Sequence, residues 1–417
     1  MVGGKQMKKT ITAILCLVLF VCGSGTVFSL DADYGAALSG EFRAGAIDPE
    51  GGSETGNEGK ILLAPWLSFP AGSGSFYISA GLNAKFSEQS IFIPELLQLE
   101  FYHRFDSLSL RAGRIPWQDT SAFTAKGRFD GIELVLDTGK ILLGAAGFYT
   151  GLLCKDTADI NYSPADPKNY HVDFDWNNFG ETYFAPRRVL ASVYGEFPGL
   201  PFRRGNVYVG LLAQLDMSEA GERYNTQYLL LRHTLDYKFF DLDASGAVAL
   251  ENTEEDGIKA AFAFALDGGV RIQGNLKKRL SLGVKWASGK GPDTAAFFPV
   301  VREAQGYVLK PCFSGIMAAG INFEARLMPS LSAEIGGRYF LRTDAWSFTD
   351  PDITKEEYAL GFETYGQMLW VPYSDLSFSL EGGVFLPQTG TAMRDDKHPD
   401  GAAPVRWSVA LAAIFSL

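Results

Sequence analysis

Hydrophobic and polar residues alternate with a period of two through most of the chain, as in SFYISAGLNAKF (75–86) and LSAEIGGRYFLR (331–342). This period is typical of β-strands with two different faces. Eighteen such segments can be counted, although a count of sixteen also fits the pattern. They lie near residues 33–46, 59–70, 74–86, 95–105, 107–116, 128–138, 140–150, 187–198, 203–216, 225–238, 240–252, 258–272, 278–288, 312–327, 330–343, 356–371, 375–387 and 404–417.

The connections between these segments alternate in length. Even-numbered segments are followed by short turns such as PAGSG, FDS, DTGK and PGLPF, whereas odd-numbered ones are followed by longer, polar stretches such as IDPEGGSETGNE and the stretch from Gly151 to Pro186. All short turns then lie at one end of the sheet, as in bacterial outer-membrane barrels. The sequence therefore predicts an all-β fold, a transmembrane antiparallel up-and-down β-barrel of about 18 strands.

The rival fold is a large soluble β-propeller or sandwich that buries its apolar face in a core. Its strands would be about 5 to 6 residues long, but many segments here run to ten or more, which is enough to cross a bilayer when tilted. Repeats of propeller-blade length are missing. After the first thirty residues, no apolar run approaches the roughly 20 residues of a membrane helix. These observations favour the membrane barrel.

Both ends of the chain agree with an exported protein. Lys8, Lys9 and the apolar stretch 11–21 predict a signal peptide over residues 1–29, with a lipoprotein signal at Cys22 as the rival interpretation. Residues 30–417 then form one barrel domain in the cell outer membrane of a diderm bacterium, with membrane lipid as a partner. The final strand VRWSVALAAIFSL resembles the C-terminal signal recognised by the barrel-assembly machinery.

Composition excludes several classes of function. The net charge of −11 and the pI of about 5.0 argue against a nucleic-acid partner. The chain has no nucleophile elbow, HExxH motif or phosphate loop, so we expect no enzyme activity and no cofactor. Cys154 and Cys312 do not make a disulfide framework. The acidic stretch 156–176 has oxygen ligands for Ca²⁺, but its spacing fits no loop motif and a solvated loop is the simpler interpretation.

If the polar face points inward, the lumen is heavily charged. One interpretation is that opposite charges pair across neighbouring strands and hold the wall together; the other is that unpaired arginines draw an anion through. The cations predicted to line the solute path are Arg104, Arg111, Arg128, Arg232, Arg338 and Arg342, and the predicted lumen ion-pair residues are Glu41, Arg43, Glu100, Glu324, Arg326 and Glu334.

Two stretches resemble the alginate-export family of outer-membrane proteins. The first is LRAGRIPWQDTSAFTAKGRFDG, with matching positions Leu110, Gly113, Arg114, Arg128, Phe129, Asp130 and Gly131; the second has Gly361, Glu363, Gly383, Phe385 and Pro387. The resemblance implies a monomeric barrel of eighteen strands with an arginine-rich lumen that passes an anionic solute. The connection between Arg114 and Arg128 is shorter than in the family, and the many acidic lumen candidates put a polyuronate substrate in doubt.

The first functional hypothesis is an outer-membrane channel for passive passage of a hydrophilic solute or polysaccharide, expected to be anionic, with the 151–186 stretch as constriction or lid. The alternative is a surface adhesin or structural barrel whose lumen is closed by ion pairs and whose loops bind a partner. A transporter of hydrophobic solutes is a third hypothesis, which would require a plug segment.

Overall fold

The computed structural model describes residues 32–46, 55–87, 90–163, 166, 172–218, 223–253, 257–274, 276–291, 293–344, 358–388 and 404–417, so the predicted signal peptide lies outside the described residues. The described chain forms eighteen β-strands. They are β1 (Asp33–Ala46), β2 (Thr55–Ala71), β3 (Gly74–Phe86), β4 (Ser90–Phe105), β5 (Leu108–Gln118), β6 (Lys126–Asp137), β7 (Leu142–Tyr149), β8 (Arg188–Pro198), β9 (Gly205–Asp216), β10 (Asn225–Asp236), β11 (Phe240–Thr253), β12 (Gly257–Ile272), β13 (Lys277–Ala287), β14 (Ile316–Met328), β15 (Leu331–Arg342), β16 (Ala359–Tyr373), β17 (Leu376–Pro387) and β18 (Arg406–Ser416).

The strands close into one barrel because each pairs antiparallel with its neighbours in sequence and β18 also pairs with β1. At the seam, Ala37 lies opposite Ser416 and Gly45 opposite Ser408. A closed sheet leaves no unpaired edge, which is the condition for a sheet that spans hydrocarbon. The predicted barrel of 18 strands is confirmed, and the alternative count of sixteen is wrong.

The outer face of the wall carries large apolar side chains. On β1, Leu38 and Phe42 point outward and are about half exposed, as are Trp407, Val409 and Leu411 on β18. Since these residues would face water in a soluble protein, the alternation of faces is that of a barrel embedded in lipid. Among the described residues, no helix is long and apolar enough to cross a membrane.

The two ends of the barrel differ, as the connector lengths predicted. We call the end with short turns the periplasmic end and the end with long connections the outer end, following the usual arrangement of such barrels. The longest described connections are the 151–187 segment and the 288–315 segment. The first contains helix α1 (Lys155–Ala158), a 3-10 turn (Trp176–Asn178) and helix α2 (Phe179–Thr182).

The hydrophobic core lies inside the barrel, toward the outer end. Its aromatic side chains come from the wall and from the connections, and they pack on small inward-facing residues of β11 and β12, namely Ala247, Ala249, Ala261 and Ala263. Small residues on the wall leave room for chain segments in the lumen. The interior of this barrel is therefore partly filled by its own connections.

Candidate functional site

Three parts of the chain fold into the lumen and narrow it. They are the upper arm of the β5–β6 hairpin (residues 114–130) and the described residues of two connections, the 151–187 segment and the 288–315 segment. They contact one another directly: the backbone N–H of Asn161 donates to Val300 O at 2.9 Å, and the N–H of Val300 donates to Thr124 O at 2.8 Å. The candidate site is the space that these segments leave open.

The hairpin arm leaves the wall at a defined level. Pairing of β5 with β4 ends at Arg114 opposite Leu99, and pairing of β6 with β7 ends at Asp130 opposite Tyr149, although β5 and β6 continue to pair with each other. Gly113, directly below this level, has φ +113°, and a Cβ there would lie 2.0 Å from Leu99 O. A residue with a side chain is excluded at this bend.

Arg114 joins the strands at the point where they separate. Its guanidinium donates two hydrogen bonds of 2.7 Å to the Asp130 carboxylate, one of 2.7 Å to Leu96 O on β4 and one of 2.9 Å to Leu152 O in the 151–187 segment. The planar fork of arginine suits such a bidentate pair. Arg114 therefore fixes the angle at which the arm enters the lumen.

The tip of the arm, Asp119–Ala125, crosses toward the opposite wall. The buried Asp119 carboxylate accepts backbone N–H groups from Ser121, Ala122, Thr124 and Ala125, which fixes the turn. Phe123 packs edge-on against aromatic rings of the 288–315 segment, with centroids 5.1 Å from Phe313 and 6.0 Å from Phe297. The tip therefore packs on the 288–315 segment inside the lumen, and its Thr120 lies against Gly210 of β9.

A buried ion cluster anchors the 151–187 segment to the rim. Arg188, with no exposed surface, lies 2.7 Å from Asp216 on β9 and 2.5 Å from Asp166. The hydroxyls of Ser163 and Ser218 accept hydrogen bonds from Arg188 and donate to the Asp216 carboxylate. On the far side of the segment, the Tyr183 hydroxyl donates to Pro94 O of β4 at 2.9 Å. The segment is thus fastened at both sides of the barrel.

A buried carboxylate on the wall holds the 288–315 segment. Glu363 on β16 has no exposed surface and accepts the backbone N–H groups of Tyr307, Val308 and Leu309, each at 2.9 Å. Glu251 on β11 accepts the N–H of Phe298 at 3.0 Å. Because buried N–H groups need acceptors, these two wall residues determine where the segment lies.

Below the tip lies a cavity of about 260 Å³, which we call the eyelet, since it is bounded by the tip on one side and by β11 to β15 on the other. Lys285 and Arg338 are its cationic residues. Two carboxylates also line it, Asp243 and Asp267, and they are paired with Arg232 and Arg279. Arg338 donates to Gln305 O and lies 5.4 Å from the centre of the Tyr365 ring. No carboxylate of the described residues lies within 4.0 Å of its guanidinium.

A larger cavity of about 700 Å³ lies on the periplasmic side of the eyelet, along β12 to β16. Arg279 is its most heavily paired cation, since it contacts Asp241, Asp267 and Glu324. Within the described residues, the side chain of Lys277 has no ion pair or hydrogen bond, and the guanidinium of Arg326 donates only to the carbonyl of Pro329. Cations with free hydrogen-bonding capacity therefore continue from the eyelet toward the periplasmic end.

The structure places the six predicted path cations in different surroundings. Arg111 pairs with Glu100 and Glu133, Arg232 pairs with Asp243, and the nearly buried Arg342 pairs with Asp344. Arg104 donates to Asp106 O at a periplasmic turn. Arg128 lies on the hairpin arm above the eyelet. Of the six, Arg338 alone lines the eyelet, and the role of the set as a solute path stays a prediction.

The predicted lumen ion-pair residues differ in whether the structure pairs them as the sequence suggested. Arg43 pairs with Glu41 at 3.0 Å, and Glu100 pairs with Arg111. Glu324 and Arg326 are both inward-facing neighbours, but Glu324 pairs with Arg279 on the adjacent strand, 3.2 Å away. Glu334 accepts a hydrogen bond of 3.2 Å from the Tyr365 hydroxyl.

Sequence reasoning missed Arg279 and Arg188 and did not anticipate that the β5–β6 connection enters the lumen. Arg279 sits among the basic residues of LKKRL, where alternation alone does not show which one points inward. Arg188 follows Arg187 at the start of a strand, and the same ambiguity applies. The Gly113-Arg114 and Asp130-Gly131 pairs, which carry the family resemblance, were the available signal for the bend.

The acidic stretch of the 151–187 segment forms no metal-binding cluster among its described residues, as in the rest of the described chain. Asp156 pairs with Lys85 at 3.0 Å, Asp166 pairs with Arg188, and Asp175 caps the 3-10 turn through the N–H of Asn177. These carboxylates shape the segment.

The two described cysteines are free thiols: Cys154 is buried and Cys312 is partly buried. Burial raises the pKa of each thiol to about 11. The reactive thiolate is therefore scarce at pH 8, about one part in a thousand. We expect Cys154 of the folded protein to resist maleimide at pH 8 and to react fully after denaturation, as measured by mass spectrometry with Cys312→Ser to isolate it. Rapid labelling of the folded protein would contradict the packing described.

Comparisons with known proteins support the fold. Neither a scan against protein-family models nor a search of curated protein sequences found a match. Among solved structures, Pseudomonas aeruginosa OpdK with vanillate aligns with a TM-score of 0.59 and 11% identity, covering 93% of this chain and 98% of that one. P. aeruginosa OccK11 (OpdR) gives 0.58, 11%, 93% and 96%, and OccK2 (OpdF) in complex with glucuronate gives 0.57, 12%, 93% and 98%.

These identities establish similarity of fold alone. The neighbours are OprD/Occ outer-membrane proteins, so the comparison supports the eighteen-stranded barrel implied by the sequence resemblance and does not confirm the alginate-export family itself. The fold of this chain is that of an outer-membrane β-barrel.

Proposed function

We propose that this protein is an outer-membrane channel that passes a small hydrophilic anion by passive diffusion through the eyelet. The observation that carries the proposal is the position of Arg338: its guanidinium lines the narrow space below the crossing tip and, within the described chain, meets no carboxylate. Lys285 lies on the same cavity, and its nearest acidic partner, Glu303, is 3.7 Å away. Asp243 and Asp267 on the same cavity are held by Arg232 and Arg279. Lys285 and Arg338, which are less completely neutralised, therefore favour an anion in the eyelet.

Outside the eyelet, the paired arginines stabilise the barrel wall, whereas the cations without an ion pair are available to the solute. Arg111 between Glu100 and Glu133, and Arg232 with Asp243, tie neighbouring strands together. Lys277 and Arg326 continue the line of available cations beyond the eyelet. Weak, repeated sites of this kind let a solute bind and leave again.

The size of the solute follows from the inserted segments. The tip, the 151–187 segment and the 288–315 segment pack on one another in the outer half of the lumen, and the eyelet has a volume of about 260 Å³. The small volume of the eyelet supports a small organic acid, and not a polysaccharide, as the solute. The bound compounds of the structural neighbours, vanillate and glucuronate, are of this size and carry a carboxylate.

We expect the variant Arg338→Gln to conduct but to lose part of its preference for anions. One partly screened charge contributes about 0.5–1 kcal/mol, so the ratio of anion to cation permeability should fall by roughly 2–5-fold. The measurement is the zero-current potential across a planar bilayer under a KCl gradient. Lys238→Gln, at an exposed periplasmic turn, removes the same charge and should leave the ratio unchanged.

Absence of any conductance in the purified, refolded wild-type protein would overturn the channel and favour the alternative of a closed structural barrel or adhesin. An unchanged permeability ratio in Arg338→Gln would keep the channel but remove Arg338 from its selective path. The two results are distinguishable because the first concerns the wild type and the second the variant.

A further inference from the structure

Arg338 has two carboxylates near it on the barrel wall, although it pairs with neither. Across the strands its neighbours are Gly320 on β14 and Glu363 on β16. Glu334 lies four residues away on β15, on the same inward face, and lines the larger cavity below the eyelet. Opposite charges on one face of a sheet attract each other. The contacts of the two carboxylates therefore have to explain why Arg338 stays available.

Glu363 is held by the 288–315 segment. It lies directly across from Arg338, but its two carboxylate oxygens accept the three backbone N–H groups of Tyr307, Val308 and Leu309. The side chain has no exposed surface, so these N–H groups need it as their acceptor. The carboxylate is therefore directed at the segment and not at the guanidinium.

The side chain of Tyr365 lies between Glu334 and Arg338. On the inward face of β15, the residue between these two is Gly336, and the residue across from Gly336 on β16 is Tyr365. A Cβ at position 336 would lie 2.6 Å from both Cζ and the hydroxyl oxygen of Tyr365. The tyrosine therefore occupies the space above Gly336, where the two charged side chains would otherwise meet.

The Tyr365 hydroxyl contacts both charged groups. It accepts a hydrogen bond of 3.4 Å from Nη2 of Arg338 and lies 3.2 Å from Oε1 of Glu334. It also contacts the side-chain oxygen of Asn322. Tyr307 of the 288–315 segment stacks on the ring, with the two centroids 4.3 Å apart. The cation and the carboxylate thus each contact the tyrosine, and the inserted segment holds the tyrosine in place.

We propose that Tyr365 is a positioning residue for the eyelet, which keeps the Glu334 carboxylate from pairing with Arg338 and so leaves the guanidinium available to an anion. The consequence for selectivity rests on the proposed channel function, whereas the separation of the two charges does not. Without the tyrosine, only Gly336 lies between the two long side chains on this face. An ion pair formed there would neutralise the cation that faces the eyelet.

The first test is the crystal structure of the full-length variant Tyr365→Ala. The Glu334 carboxylate should move to within about 4 Å of the Arg338 guanidinium, the distance of an ion pair. This measurement does not depend on any transport activity. A variant in which the two groups stay apart would overturn the inference.

The second test is a pair of substitutions measured by the zero-current potential across a planar bilayer under a KCl gradient. Tyr365→Ala should lower the ratio of anion to cation permeability roughly 2–5-fold, as for the loss of one partly screened charge. In the Glu334→Gln background the same substitution should leave the ratio unchanged, because position 334 then carries no carboxylate to pair with Arg338. A wider lumen would act in both backgrounds, so an equal fall in both contradicts the role of Tyr365.

Tyr194→Ala is the matched control. Tyr194 on β8 also covers a glycine, since a Cβ at Gly144 would lie 2.0 Å from its Cζ, and its hydroxyl donates to Glu133 at 2.6 Å. Glu133 already pairs with Arg111. The substitution removes an equal ring from the lumen wall but frees no carboxylate for the eyelet, so the permeability ratio should stay that of wild type. A fall as large as in Tyr365→Ala would overturn the inference.

The outcomes distinguish this inference from the proposed function. Absence of conductance in the wild type overturns the channel, and the crystal structure of Tyr365→Ala then decides the inference by itself. A ratio that Arg338→Gln lowers and Tyr365→Ala does not keeps the channel and overturns the role of Tyr365. If Tyr365→Ala does not fold, Tyr365→Leu, which fills part of the same space but lacks the hydroxyl, gives the same two measurements with the same expected results.

Discussion

Replacement of Arg188 by alanine is expected to release the 151–187 segment from the barrel rim. Arg188 is fully buried between Asp166 and Asp216, and its removal leaves two carboxylates buried without their cation. Breaking a buried pair in this way costs about 3–5 kcal/mol. At the lower end of that range the local opening equilibrium shifts by about a hundredfold.

Hydrogen exchange followed by mass spectrometry measures this opening. Amides of the 151–187 segment should exchange faster in Arg188→Ala, while those of the distant strands β13 to β17 keep their protection. Arg203→Ala, in an exposed periplasmic turn, is the matched control and should change stability by less than about 0.5 kcal/mol. Equal protection of the segment in Arg188→Ala and wild type would show that the ion cluster is not its anchor.

Replacement of Glu363 by alanine is expected to loosen the 288–315 segment and widen the eyelet. The change removes the acceptor of three buried N–H groups at once. Each hydrogen bond to a charged group contributes about 1.5–3 kcal/mol, and because such losses are not additive we expect a total of about 3–5 kcal/mol. Gln305, whose carbonyl meets Arg338, belongs to the same segment.

Single-channel recording should then show a larger mean conductance and more current noise than in wild type. Glu381→Ala is the matched control, since Glu381 is also an inward-facing carboxylate, on the adjacent β17. Among the described residues, its side chain accepts a hydrogen bond from the Gln367 side chain and none from the segment. If the two variants change the current equally, the effect comes from lumen charge and the anchoring role of Glu363 is wrong.

The barrel wall was predictable because its signals are local. Alternation of apolar and polar residues marks each strand, and the length of each connection shows which end it lies at. Strand ends were less accurate: β2 begins at Thr55 and β4 at Ser90, each about four or five residues before the alternation was counted. At these strand ends both faces contact protein or water and neither contacts lipid, so the difference in hydrophobicity between the two faces is smaller.

The interior was predictable only in part. Inward-facing charges were found from alternation, but Glu324 has its partner on the adjacent strand, at Arg279, and not two residues along its own strand, at Arg326. Pairing depends on the register between strands and on which side chains meet across it. Alternation also continues through the bend at Gly113 and Gly131, so a pattern that marks strands does not show that the arm has left the wall.

The sequence by itself predicted an antiparallel barrel of about eighteen strands, with sixteen also possible, together with its two unlike faces and its two unlike ends, because each of these follows from spacing along the chain. The structure settled the count and the closure of β18 on β1. The tertiary structure alone decided that three segments enter the lumen and that Arg338 lines the eyelet. The physical reason is that these features depend on contacts between residues far apart in sequence. Arg188 with Asp216, Glu363 with Val308, and Phe123 with Phe313 bring distant parts of the chain together, and no periodicity records such contacts.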